Sequence, residues 1–156
     1  MKNLNISGKT RVCALIGDPV EHSMSPVMHN AAFRELGLDF VYVAFRVQKE
    51  NVTRAIDGLR ALNLRGVNVT IPHKVAVIPL LDELDPLAEK IGAVNTIVNN
   101  DGVLRGYNTD AGGFLHALLA QGIEPEGKNI VIIGAGGVAR AASFVLADRK
   151  ANLSIL

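Results

Sequence analysis

Four short segments carry polar side chains where α/β proteins place loops or strand ends. Lys74 closes the run Asn68-Val69-Thr70-Ile71-Pro72-His73-Lys74, just past the C-terminal end of a predicted strand. Open α/β sheets bind their ligands at that end. A lone lysine is usually a solvated surface charge, but burial or a charged neighbour turns it into an acid or base. Asn68 and Thr70, two apart, share one face of the strand. Asp110, in Gly106-Tyr107-Asn108-Thr109-Asp110-Ala111-Gly112-Gly113, reads by itself as a helix cap; it is also the acidic residue that could hold Lys74 in place. Asn95, in Gly92-Ala93-Val94-Asn95-Thr96, can orient a hydroxylated ligand because an amide donates and accepts at once, or it is a turn amide only. Ser23 and Ser25 stand just before a predicted helix with Pro26 at its start. Two hydroxyls there can donate to an anion, although the simpler reading makes Ser25 the N-cap.

A fifth segment is glycine-rich. Gly134-Ala135-Gly136-Gly137-Val138-Ala139 fits G-x-G-x-x-A, follows an apolar strand and opens a helix. Gly134 allows the tight turn, Gly136 lets backbone approach a pyrophosphate, and Ala139 lets the helix pack close to the strand. The helix N-terminus then offers free N–H groups to the anion. The competing reading is a strand–helix turn that needs glycine only for its backbone angles. The residue that reads the adenosine ribose falls about 20 positions past the first glycine, which is at the end of this sequence. The chain is therefore expected to be the N-terminal part of a longer protein, unable to catalyse alone.

Short apolar runs and amphipathic stretches alternate to position these segments. Strands are predicted at Arg11–Gly17, Phe40–Val47, Arg65–Thr70, Ala93–Asn99 and Val103–Asn108. The last two are joined through Asp101-Gly102, a hairpin signal. Helices are predicted at Ser25–Leu36, Asn51–Leu62 (Val52, Ile56, Leu59 and Leu62 on one face), Val75–Leu81, Leu87–Ile91 and Asn108–Gln121, the last with Asn108, Thr109 and Asp110 as candidate caps. After a turn-rich linker, Asn129–Ile133 reads as a parallel strand covered on both faces, Ala139–Ala147 as a helix and Ala151–Leu156 as a strand. The fold class is α/β with a mainly parallel sheet, followed by the first β-α-β of a dinucleotide-binding fold. The expected division is a substrate-binding domain over 1–108, a connecting helix over 109–121 and an incomplete Rossmann domain over 122–156.

Composition narrows the function class. Sixteen Lys and Arg stand against 15 Asp and Glu in 156 residues, a net charge of +1. That balance argues against a nucleic-acid binder, which needs a basic face. No apolar run reaches the roughly 18 residues of a membrane span, and the polar stretch Met1–Thr10 lacks a signal-peptide core. One cysteine cannot form an intrachain disulfide, and Cys13 sits in an apolar strand where it is expected to be buried and unreactive. His22, His29, His73 and His116 share no metal-ligand spacing, so no metal is expected; His29 and His116 are read as satisfying local hydrogen bonds.

The combination SMSPVMHNAAF, NVTIPHK, GAVNT, GYNTDAGGF and GAGGVARA, in this order and spacing, resembles shikimate dehydrogenase. The resemblance runs from about Val12 to Ala142. It implies a two-domain cytoplasmic enzyme that reversibly reduces 3-dehydroshikimate to shikimate with NADPH, in aromatic amino-acid and chorismate biosynthesis. By that resemblance Ser23 and Ser25 bind the substrate carboxylate; Thr70, Asn95 and Asp110 surround the ring hydroxyls; Lys74 is the catalytic lysine, paired with Asp110. Gly134, Ala135, Gly136, Gly137, Val138 and Ala139 form the cofactor phosphate turn. The family's NADP-selecting loop would follow Leu156. An NAD-dependent quinate/shikimate dehydrogenase and a catalytically silent substrate-binding module stay open as alternatives, as does a homodimer.

Overall fold

A computed structural model describes residues 6–156, so the first half of the polar N-terminal stretch lies outside the described residues. The chain runs β1 (Arg11–Gly17), α1 (Ser25–Glu35), β2 (Phe40–Arg46), α2 (Val52–Ala61), β3 (Gly66–Val69), β4 (Glu83–Leu84), α3 (Pro86–Ile91), β5 (Thr96–Asn100), β6 (Val103–Tyr107), α4 (Asp110–Ala120), β7 (Asn129–Ile132), α5 (Gly137–Asp148) and β8 (Asn152–Ile155). The first six strands form one sheet in the order β2-β1-β3-β5-β6-β4, and β7 and β8 form a parallel pair. The large sheet is mixed: β1 pairs parallel with β2 and β3, and β4 with β6, but β5 is antiparallel to both β3 and β6.

That antiparallel insertion determines where the polar segments go. Asn68 lies opposite Thr96, and Thr96 opposite Tyr107. The residues that follow β3, precede β5 and follow β6 therefore leave the sheet at the same end. The end of β1 joins them, because Ile16 is in register with Val69. The β5–β6 hairpin turns at Asp101-Gly102, both with positive φ (+51° and +94°), as a two-residue hairpin turn of this sequence requires.

One core fills the space beneath the large sheet. Val52, Ile56 and Leu59 of α2 pack with Val67, Val69, Val77, Val94, Ile97 and Leu104. Leu62, expected on the same face, follows the last helical residue and is 74% exposed. A second core joins α3, α4 and α5 through Ile91, Ala111, Ala141 and Val145, with Phe114 and Phe144 alongside. The predicted helix at Val75–Leu81 does not form. The segment is a series of turns ending in a short 3-10 turn at Ile78–Leu80, because Pro79 has no N–H to continue an α-helix. The β7–β8 pair is not covered on both faces by the described residues: Ile130 and Ile132 are half-buried, whereas Val131 and Ile155 are exposed. No helix among the described residues is long and apolar enough to cross a membrane.

Two glycines separate backbone need from steric need. A methyl at Gly66 would lie 2.7 Å from the carbonyl oxygen of Ile97, a backbone atom of the next strand. A methyl at Gly58, inside α2, meets nothing within 4 Å. Gly66→Ala should cost about 1–3 kcal/mol by overpacking, and Gly58→Ala should add up to about 1 kcal/mol by helix propensity. Urea denaturation of the two variants checks the opposite signs.

Candidate functional site

Lys74 and Asp110 meet at this end of the sheet. Lys74 Nζ donates to Asp110 Oδ2 at 2.7 Å, with side chains 11% and 24% exposed. The other carboxylate oxygen, Oδ1, accepts from Asn95 Nδ2 at 2.8 Å. Asn95 is buried, and its amide is fully engaged. Nδ2 also donates to Thr109 Oγ1 at 2.8 Å, and Oδ1 accepts the Thr109 N–H at 2.9 Å and the Thr96 hydroxyl at 3.1 Å. These bonds tie the Asn95 amide to the acidic partner of Lys74 and to the start of α4.

Local sequence explains each position. Asp110 is the first residue of α4, where a helix dipole favours a negative charge. It is not the cap. Asn108 Oδ1 accepts the N–H groups of Asp110 and Ala111, while its Nδ2 donates to Ala93 O. Lys74 is anchored through its backbone: its carbonyl accepts the Val94 N–H at 2.7 Å. The preceding His73 is fully buried, with Nε2 at 2.6 Å from Val47 O; with Nε2–H donating there, Nδ1 is left without a partner.

The serine pair lies apart from the ion pair but is connected to it. Helix α1 begins at Ser25 itself, and neither serine hydroxyl makes a capping bond to it. The N-cap reading of Ser25 is therefore replaced: the Ser23 Oγ accepts the Ser25 N–H at 3.2 Å, and the Ser25 hydroxyl lies beside that of Tyr42. Ser23, Ser25, His22 and Thr70 line a cavity of about 290 Å³. Thr70 and Lys74 line a larger one, about 830 Å³, that extends along the glycine turn to Gly134, Gly136, Gly137 and Val138. Thr70 borders both.

Several residues of the site give no chemical signal in the sequence. The Tyr42 hydroxyl donates to Asn68 Oδ1 at 2.7 Å, and Asn68 Nδ2 donates to Thr96 Oγ1 at 3.1 Å. With Thr96 bound to Asn95, this chain reaches from β2 to the ion pair. Asn30 of α1 clamps the Tyr42 backbone with two hydrogen bonds, and His29 stacks on the ring at 4.3 Å rather than satisfying a local hydrogen bond. Tyr42 looked like an ordinary aromatic strand residue. Thr109 is already among the candidate caps of α4, and Thr96 directly follows Asn95. Burial pushes the Tyr42 pKa up to about 12, with Cys13 adding to it and the Ser25 hydroxyl opposing. Cys13, expected to be buried, is only half-buried; burial still pushes its thiol up, against Arg65 and Arg11, which suits an unreactive cysteine.

The glycine turn suits a dinucleotide phosphate. Gly134 has φ +104°, and a methyl at Gly134 or Gly136 meets nothing within 4 Å, so the turn presents bare backbone to open space. Helix α5 starts at Gly137 and runs 12 residues, which aims the first N–H groups of the helix at that space. Ala135, Val138 and Ala139 complete the turn, with Val138 56% exposed.

Residues 15–97 match the shikimate dehydrogenase substrate binding domain family. A shikimate dehydrogenase (NADP(+)) of Desulforamulus reducens is 57% identical over 148 residues, 94% of this chain and 51% of the relative. The crystal structure of shikimate dehydrogenase from Aquifex aeolicus is 43% identical with a TM-score of 0.93, over 96% of this chain and 56% of that one. That of the Thermus thermophilus enzyme, in complex with NADP(H) and shikimate, is 42% identical with a TM-score of 0.85, over 93% and 55%. The chain spans about half the length of the curated relatives it matches.

The Tyr42 environment sets a pH dependence. Tyr42 holds its proton more tightly folded than unfolded, so the stabilisation present below the ordinary tyrosine pKa of about 10 is lost as pH rises toward about 12. Urea midpoints followed over this alkaline range should fall more steeply for the native protein than for Tyr42→Phe. Equal slopes contradict the assignment.

Proposed function

This chain belongs to the shikimate dehydrogenase family, and on that premise we propose that the protein reversibly reduces 3-dehydroshikimate to shikimate with NADPH. One observation carries the reading: Lys74, ion-paired with Asp110, lines the glycine-turn cavity, and Thr70, four residues before it, lines both that cavity and the serine-lined one. A ring held by its carboxylate in the first cavity presents its far side to the second.

In this reading Ser23 and Ser25 receive the substrate carboxylate at the positive end of α1. Thr70 borders the ring, and Asn95 and Asp110 fix the direction of its hydroxyls and of Lys74. Backbone N–H groups of Gly136, Gly137 and Val138 hold the cofactor phosphates, with Gly134 and Ala135 forming the turn and Ala139 the close helix contact. Bound NADPH supplies the hydride. As negative charge builds on the substrate carbonyl oxygen, the Lys74 ammonium opposes it and donates a proton from Nζ. Asp110 keeps Nζ directed through a bond of 2.7 Å while Asn95 stops the carboxylate from rotating.

In the complete protein, Lys74→Ala should lower kcat by about 100-fold or more, as expected for loss of a positioned acid. Ser25→Ala should instead raise the KM for shikimate by about 10-fold, the effect of one hydrogen bond to a charged group. Steady-state kinetics of both variants decides. Turnover of Lys74→Ala within about threefold of native, or a pure kcat loss in Ser25→Ala, contradicts these roles.

A further inference from the structure

The glycine turn touches the lysine as well as facing the cofactor cavity. A methyl at Gly137 would lie 2.9 Å from both Cβ and Cδ of Lys74 and 3.4 Å from Cγ. Gly134 and Gly136 show no such contact. The backbone does not call for glycine at 137. The residue is the first of α5, and it is absent from the glycines with positive φ. Alanine would favour a helix there by up to about 1 kcal/mol. What excludes a side chain is the lysine stem.

Lys74 cannot move aside. Its Nζ is held at 2.7 Å by Asp110 and its carbonyl at 2.7 Å by the Val94 N–H, and the buried His73 ring before it is fixed to Val47 O. Helix α5 is packed on this side at a second point, where Ala141 and Val145 share a core with Ile91, the residue before Gly92. The segment Gly92–Asn95 carries both the Val94 N–H and the Asn95 amide.

We propose that Gly137 is a positioning residue for Lys74: the bare first residue of α5 forms the wall against which the lysine stem lies, so the element that grips the cofactor phosphates also sets the direction of Nζ. The proposal rests on the reading of Lys74 as the group that acts on the substrate carbonyl. It gives the second glycine of the Gly136-Gly137 pair a task distinct from that of the first. A shift of the first turn of α5 is transmitted to Nζ through contact alone.

The test uses Gly137→Ala in the complete protein, with NADP+ affinity by fluorescence titration, steady-state kinetics and thermal unfolding. The expected result is a kcat lower by about 10-fold or more, as for a catalytic group displaced by a fraction of an ångström, with NADP+ affinity kept within about threefold. The melting temperature should fall by a few degrees, about the effect of one overpacked contact. A kcat within twofold of native, or a loss carried wholly by NADP+ affinity, overturns the proposal. If Gly137→Ala does not fold, the double variant Lys74→Gly/Gly137→Ala must fold and bind NADP+, because the atoms in the way belong to Lys74; its failure overturns the proposal equally. Should the native protein not reduce 3-dehydroshikimate, the functional reading fails, while recovery of the Gly137→Ala melting temperature by Lys74→Gly still decides the contact.

Discussion

The side-chain amide of Asn95 is the constraint on which the site depends. It holds one oxygen of Asp110, so the other can face Lys74 Nζ, and it holds both the N–H and the hydroxyl of Thr109, the residue before α4. One buried side chain thereby ties the segment before β5 to the start of α4 and, through Asp110, to Lys74. A part-buried ion pair is weak evidence of stability by itself, since desolvation offsets much of its attraction. The bonding of Asp110 through both of its carboxylate oxygens makes this one geometrically definite.

The mixed sheet makes the constraint possible. Because β5 runs against β3 and β6, the start of β5 lies beside the ends of the other two. Asn95 precedes β5, Lys74 follows β3 and Asp110 follows β6, so each is carried to the same edge by ordinary strand pairing. The end of β1 brings Ser23 and Ser25 to that edge, and Tyr42 and Asn68 link the two halves across the sheet face. Helix α5 closes the arrangement from the far side, with Gly137 against the lysine stem and Phe144 and Val145 in the core shared with α3 and α4. The position of the lysine head is therefore determined by two strands, a loop and a helix, each with its own packing.

Much of this is legible in the sequence where the signal is local. The Asp101-Gly102 turn, the Pro26 start of α1 and the strand–glycine–helix run at 129–148 all have the elements that their residues imply. The polar segments are recognisable because their important residues sit two to four positions apart. What escapes is set by long-range partners. Asn108, Thr109 and Asp110 are all capping residue types; the Asn108 side chain takes the helix N–H groups, while the Asp110 carboxylate turns to Lys74, thirty-six positions away in sequence. The tyrosine of Phe40–Arg46 looks like core material until its hydroxyl finds Asn68. Gly137 looks like part of a phosphate motif until the lysine stem is seen beside it. The Val75–Leu81 stretch shows the reverse case, a helical-looking pattern that a single proline denies.

The most direct test of Asn95 as organiser is a double-mutant cycle on kcat/KM for Asn95→Ala and Lys74→Ala in the complete protein. If Asn95 acts by directing Asp110 and Lys74, most of its effect disappears once Lys74 is gone, and the cycle shows a coupling of about 1–3 kcal/mol. Additivity within about 0.5 kcal/mol would mean that Asn95 acts independently of the ion pair and would contradict the account.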